Sequence, residues 1–258
     1  MFQYITDCKE LGCTQLDPWN GHLVPIIQET EQIRASATPL QTSFSAEGLA
    51  YVDRVRAAAD AAGLPFGNLA IDGAHMWEPT LEERQKNRAS GTRWLEVAKR
   101  LGATSVRMDA GGKEEMTDDM FEIIVADFKT VVKQARALGI NVVMENHWGA
   151  SHVPKNVVRI LDAVPGLGLL FDSNNWADGT QEEGWKLCAA RANEVHIKTF
   201  NFDAQGNDPT VDLPRVIAML VKAGYKGCWG IESVPKDGDE IAAARKTMQL
   251  IERSVAAA

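Results

Sequence analysis

Four short apolar runs in this chain each end in side chains that bind cations or move protons. They are Glu145 and His147 in "VVMENHW", Asp172 in "LLFDSNN", His196 and Lys198 in "EVHIKTF", and Glu232 in "WGIES". A β-strand turns successive side chains to opposite faces, so Glu145 and His147 share a face, as do His196 and Lys198. Any one of these could be an ordinary polar residue at a solvated rim. As a set they could not, because four consecutive strands delivering Glu, Asp, His and Glu to one rim would repel unless a cation lay among them. Three carboxylates and one imidazole suit a divalent ion of intermediate hardness: Mn²⁺ first, with Mg²⁺, Co²⁺, Fe²⁺ and Zn²⁺ as alternatives. Such an ion, with open positions, would act as a Lewis acid on a substrate's hydroxyl and carbonyl oxygens.

The elements that must position these residues alternate along the chain. Seven strand-like segments begin near Cys13, Phe66, Thr104, Asn141, Leu167, Asn193 and Cys228, separated by longer amphipathic stretches. Gly102, Gly139 and Gly224 stand where helices should end in a left-handed cap. Repeated strand-helix-strand units imply parallel pairing. No G-x-G-x-x-G or G-x-x-x-x-G-K-[ST] follows a strand, which argues against an open nucleotide-binding sheet, and the 258 residues suit a (β/α)₈ barrel of about 250 residues.

The expected fold is therefore an α/β TIM-type barrel, one domain over residues 1–258. Its first strand is missing or reduced to a vestige at Met1 to Tyr4, because Ile5, Cys8 and Leu11 already fall at helical spacing. Residues 20–48 are too long for an ordinary connection. They are expected to hold a short helix through Leu23, Ile26, Ile27 and Ile33 and to act as a lid or a subunit contact, with His22 within reach of the site.

The formal net charge of −8 argues against a nucleic-acid partner, since phosphate binding needs concentrated Lys and Arg. No apolar run is long enough to span a bilayer, and the N-terminus lacks the pattern of a secretory signal. The four cysteines form no C-x-x-C pair, so an all-Cys zinc site is ruled out. The expectation is a cytoplasmic enzyme acting on a small molecule, free or as a homo-oligomer.

The ordered set Glu145, Asp172, His196, Glu232, closed by "GYKGCWGIES" and a last helix from Asp239, resembles the xylose isomerase-like barrel superfamily of sugar and sugar-phosphate isomerases and epimerases. That group includes ketose 3-epimerases, hydroxypyruvate isomerases, inosose dehydratases and, more distantly, endonuclease IV. The resemblance implies that these four residues bind the metal and that Glu145 and Glu232 also serve as an acid/base pair on opposite faces of a sugar. The chain departs from the 3-epimerase pattern at Asn175, where those enzymes usually have His, and in carrying His147 and Lys198. Metal-dependent C-glycoside deglycosidases place a catalytic His two residues after the first Glu ligand, as His147 is placed here.

Two activities follow. The first is a metal-dependent sugar isomerase or epimerase, acting by proton abstraction next to a carbonyl through an enediolate, with Glu145, Glu232, His147 and Lys198 as catalytic residues. The second is a lyase or dehydratase performing β-elimination on a keto-sugar or 3-keto-glycoside with His147 as base. Arg107, Asn175, His75, Trp148 and Trp176 are the candidate contacts to a carbohydrate substrate, expected to be unphosphorylated; Arg107, at a strand end with Asp109, is equally placed to pair with Asp109 or Glu194. A phosphodiesterase of the endonuclease IV kind is disfavoured by the acidic charge and by only five scattered histidines.

Overall fold

Residues rich in Val, Ile, Leu and Met at period two form six strands. These are β1 (Asn68–Ile71), β2 (Ser105–Met108), β3 (Asn141–Glu145), β4 (Leu167–Asp172), β5 (Ala192–Thr199) and β6 (Trp229–Ser233). In this computed structural model, which describes residues 1–258, the strands pair in sequence order and all in parallel. The sheet curls into a partial TIM barrel.

The alternation along each strand separates two environments. Val106, Met108, Val142, Met144, Leu169, Phe171, Val195 and Ile197 belong to the apolar core under the helices. The intervening residues Arg107, Glu145, Asp172, His196, Lys198 and Glu232 take the opposite face, the barrel interior. Register aligns the site: Asp172 pairs with His196, and Lys198 with Glu232.

Nine α-helices surround the sheet: α1 (Phe2–Leu11), α2 (Val24–Ala35), α3 (Ala46–Ala62), α4 (Leu81–Leu101), α5 (Asp118–Ala137), α6 (Pro154–Ala163), α7 (Gln181–Cys188), α8 (Leu213–Lys222) and α9 (Glu240–Ala257). Ser45, Thr80 and Thr117 cap the starts of α3, α4 and α5 by accepting from backbone N–H groups. Gly102, Gly139 and Gly224 adopt positive φ at the ends of α4, α5 and α8, as the sequence required. No helix is long and apolar enough to cross a membrane.

Two expectations near the N-terminus need correction. The segment from Cys13 is not a regular strand: its main-chain pairing is limited to isolated parallel bridges, Leu16 to Phe66 just before β1 and Trp19 to Ala70 within it. Between them the Asp17 carboxylate, rather than a main-chain carbonyl, accepts from Asn68 N at 2.8 Å, and Pro18 has no N–H to donate. Of the two expected states of the first strand, missing or a vestige at Met1 to Tyr4, the vestige is excluded because Phe2–Tyr4 is the first turn of α1, and no strand precedes that helix.

Residues 20–48 contain α2, whose Ile26 and Ile33 are buried in the core together with Leu23 just before it. Glu29 bonds the Ser45 backbone and hydroxyl at the start of α3, and Arg34 pairs with Glu83 on α4. This packing fixes the segment against the barrel wall.

Candidate metal site and active site

Glu145, Asp172, His196 and Glu232 converge at the C-terminal ends of β3, β4, β5 and β6, with one ligand atom from each lying within 4.8 Å of the others. His196 Nδ1 stands 3.6 Å from Glu145 Oε1 and 3.5 Å from Glu232 Oε2. The turn after β4 holds Asp172 by one oxygen: Oδ1 accepts from Asn174 N at 2.7 Å and Asn175 N at 2.9 Å. Its Oδ2 is buried with no hydrogen-bond partner, as is His196 Nδ1. Leaving two such atoms unsatisfied costs about 1–3 kcal/mol each. Both face the same small volume between carboxylates, so the donor set fits a divalent cation.

The electrostatics of the metal-free cluster agree. Burial, then the charges of Glu232 and Glu145, push the Asp172 carboxyl up to about 7. Burial opposes charge on Glu232 too, but contacts with His196 and Lys198 outweigh it and hold Glu232 below the carboxylate range. Burial likewise disfavours a charged His196, yet its contacts with Glu145 and Glu232 raise it well above an ordinary imidazole.

Behind the cluster lies Arg107, buried on β2. Its Nη1 donates to Asp72 Oδ1 at 2.7 Å and Asp109 Oδ2 at 2.9 Å, while Nε lies 3.0 Å from Glu145 Oε2. Of the two readings of Arg107, a substrate contact or a salt-bridge partner of Asp109 or Glu194, the structure shows the pairing with Asp109 and adds Asp72 and Glu145 to it. Asp109, Glu145 and His147 form a second group of converging ligand-type atoms beside the first.

The sequence profile of the xylose isomerase-like TIM barrel family matches residues 5–254. The chain belongs to this family. Among solved structures of the xylose isomerase-like fold, E. coli 3-keto-D-glucoside 4-epimerase aligns with a TM-score of 0.73 at 14% identity, over 98% of this chain and 94% of that one. A xylose isomerase-like TIM barrel protein from Mycobacterium smegmatis, solved with magnesium, aligns with a TM-score of 0.69 at 16% identity, over 99% of this chain and 88% of that one. Other sugar epimerases and a probable dehydratase share the fold. A short stretch is 38% identical over 45 residues to the C-glycoside deglycosidase alpha subunit of Arthrobacter globiformis, covering 17% of this chain and only 13% of that protein.

Around this xylose isomerase-like centre, the remaining expected residues divide. Lys198 Nζ donates to Glu232 Oε1 at 2.6 Å, and Asn175 Nδ2 reaches Glu145 Oε1 at 3.4 Å. His147 Nδ1 lies 3.4 Å from Asp109 Oδ1, and Trp148 Nε1 donates to Asp109 Oδ2 at 3.1 Å. Trp148 is 39% exposed, and His75 meets its ring edge-on at 5.1 Å while contacting Glu78. Trp176 turns away from the site: it is buried against Phe171 and the backbone of Gly184, so the expectation of a substrate contact fails there. His22 stacks on Tyr4 and approaches the Arg107 group only through Trp19, which donates to Asp72.

Sequence reasoning gave no role to Asn146, and gave Asp109 only that of a strand-end carboxylate able to pair with Arg107. Asn146 donates to the carbonyls of Asp172 and Asn175 and accepts from Asp172 N at 2.8 Å, locking the β3 and β4 ends together. Lying between Glu145 and His147 on the other face, it gave no periodic signal. Asp109 was visible at the end of β2, two residues after Arg107, but nothing in sequence tied it to His147.

Proposed function

We propose that this protein is a divalent-metal-dependent sugar isomerase or epimerase that removes a proton from a carbon next to a carbonyl. The observation that carries this reading is the pair of unpartnered buried atoms, Asp172 Oδ2 and His196 Nδ1, set between Glu145 and Glu232. The four residues would hold one divalent ion, Mn²⁺ first, which when bound supplies Lewis-acid polarisation of substrate oxygens.

The chain's own groups do the rest. Glu145 and Glu232 reach the centre from the non-adjacent strands β3 and β6, which suits proton transfer at two faces of one carbon. Lys198, bonded to Glu232, fixes that carboxylate and places a positive charge where an enediolate oxygen would develop. Asn175 beside Glu145 is placed to donate to a substrate hydroxyl. Trp148 and His75 offer an aromatic wall for the apolar face of a sugar.

A second reading, β-elimination on a keto-sugar or 3-keto-glycoside, is favoured by one observation: His147 is anchored beside Glu145 as a separate candidate base. Elimination shares the first proton abstraction and differs in that the electron pair then expels a leaving group.

The test combines metal analysis with proton NMR in D₂O over a panel of ketoses and 3-keto-glycosides. Deuterium entering recovered substrate or its epimer is the outcome expected of the first reading, and release of a leaving group is that of the second. Neither deuterium uptake nor product from any member, with metal bound, would remove both.

A further inference from the structure

We infer that Asp109 is the positioning residue for His147: it holds the proton on Nδ1 and turns Nε2 to the substrate as the acceptor. This rests on the reading of His147 as the base. Asp109 is 3% exposed and cannot rotate freely, because Oδ2 accepts both from Arg107 Nη1 at 2.9 Å and from Trp148 Nε1 at 3.1 Å. That leaves Oδ1 facing His147 Nδ1 at 3.4 Å.

An ionised carboxylate only accepts hydrogen bonds, so a neutral ring seated against it must carry its proton on Nδ1. The adjoining residue Trp148 is tied to the same carboxylate, so the loop after β3 is anchored at two successive side chains and the ring plane is fixed. Gly149 completes the anchor by packing against the carbonyls of Gly111 and Gly112, which directly follow the Asp109 strand end. His147 retains 32% side-chain exposure, so part of the ring stays open to a ligand.

The proton step balances with these groups alone. Nε2 takes the proton from the carbon beside the carbonyl, and the C–H electron pair moves into the enediolate. The resulting imidazolium stays paired with Asp109, which does not itself take the proton.

The test is Asp109→Asn in the metal-loaded protein. The amide oxygen can still accept from Arg107 and Trp148, but the amide N–H₂ then faces Nδ1 and forces the proton onto Nε2. Long-range ¹H–¹⁵N spectra at about pH 9, where an ordinary imidazole is neutral, read the tautomer directly, with His147 identified by the signal lost in His147→Gln. The expected result is an Nδ1–H ring in the native protein and an Nε2–H ring in Asp109→Asn, with metal content unchanged. The deuterium-exchange kcat is expected to fall by about 10³–10⁴, with little change in KM.

A native ring protonated on Nε2 overturns the inference, and so does an unchanged tautomer in Asp109→Asn. That first measurement needs the native protein and His147→Gln but not Asp109→Asn, so an Asp109→Asn protein that fails to fold leaves the inference open to refutation. A switched tautomer with unchanged exchange supports the positioning role and sinks His147 as the base.

Discussion

Arg107 Nε lies 3.0 Å from Glu145 Oε2, and the other oxygen of that carboxylate lies 3.6 Å from His196 Nδ1. One buried carboxylate thus divides its oxygens between a permanent cation and the ligand cluster. The guanidinium holds one oxygen of Glu145 and leaves the other turned to the cluster, as an outer partner would for a metal ligand.

Replacing Arg107 with Met should leave Glu145 and Asp109 as buried charges without their partner. A loss of about 3–5 kcal/mol in unfolding free energy is expected, the usual result of breaking a buried pair from one side. Arg107→Lys should recover only part, because a point ammonium cannot address three carboxylates in a fixed fork. Urea unfolding of the metal-free variants measures both, and a loss under about 1 kcal/mol in Arg107→Met would show the network to be unimportant.

Asp172→Asn and Glu232→Gln should reduce metal affinity by more than the roughly 10–100-fold that loss of an outer-shell partner costs. Asn146→Ala should fall within that outer-shell range while also destabilising the fold by about 1–3 kcal/mol, through the orphaned Asp172 N–H. Titration of each apo-protein with Mn²⁺ by calorimetry checks the order. Equal affinities in all variants would place the metal elsewhere.

The metal-free protein should lose stability as pH rises from about 4 to 7. The folded-state pKa of Asp172 is raised to about 7, so between its unfolded value near 3.8 and 7 the native state binds more protons than the unfolded one. His196, raised well above 6.5, adds loss of the same sign above that value. Glu232 is shifted the other way, but its contribution changes only below its unfolded value of 4.5, outside most of this window. The expected fall is on the order of a few kcal/mol. Saturating Mn²⁺ should reverse it, because binding requires the deprotonated ligands. Unfolding curves at several pH values, with chelator and with Mn²⁺, give the comparison.

Gly149→Ala should damage activity more than its size suggests. Gly149 has φ +62°, and an added Cβ would sit 2.7 Å from Gly111 O and 2.8 Å from Gly112 O. Backbone atoms cannot yield cheaply, so the loop carrying His147 and Trp148 must shift. A destabilisation of about 1–2 kcal/mol is expected, with a disproportionate drop in kcat and unchanged metal content. Normal turnover would show that the loop position is not critical.

Much of the centre was legible in the sequence because the barrel encodes it locally. Each strand is a short apolar run of period two, so a polar residue at its end, and the face it takes, can be read without knowing what lies opposite. Glu145, Asp172, His196 and Glu232 were found that way, together with the helix ends at Gly102, Gly139 and Gly224.

What the sequence by itself determined is therefore which four polar residues end these strands, their order and the parallel architecture that brings them to one rim. Tertiary structure alone decided how the groups behind them are wired together. The pairing of Arg107 with nearby Asp109 was open to sequence reading, but its pairing with Asp72 and Glu145 depends on contacts between strands far apart in the chain. Trp176 lies near the rim in sequence and in the core in space, because the turn fixed by Asp172 directs it onto Phe171. The segment from Cys13 has strand-like composition, yet Asp17 and Pro18 replace main-chain pairing with a side-chain bond and a missing donor. Contacts such as His147 with Asp109 at 3.4 Å and Arg107 with Glu145 at 3.0 Å join separate elements, and only strand register and helix packing bring such groups together.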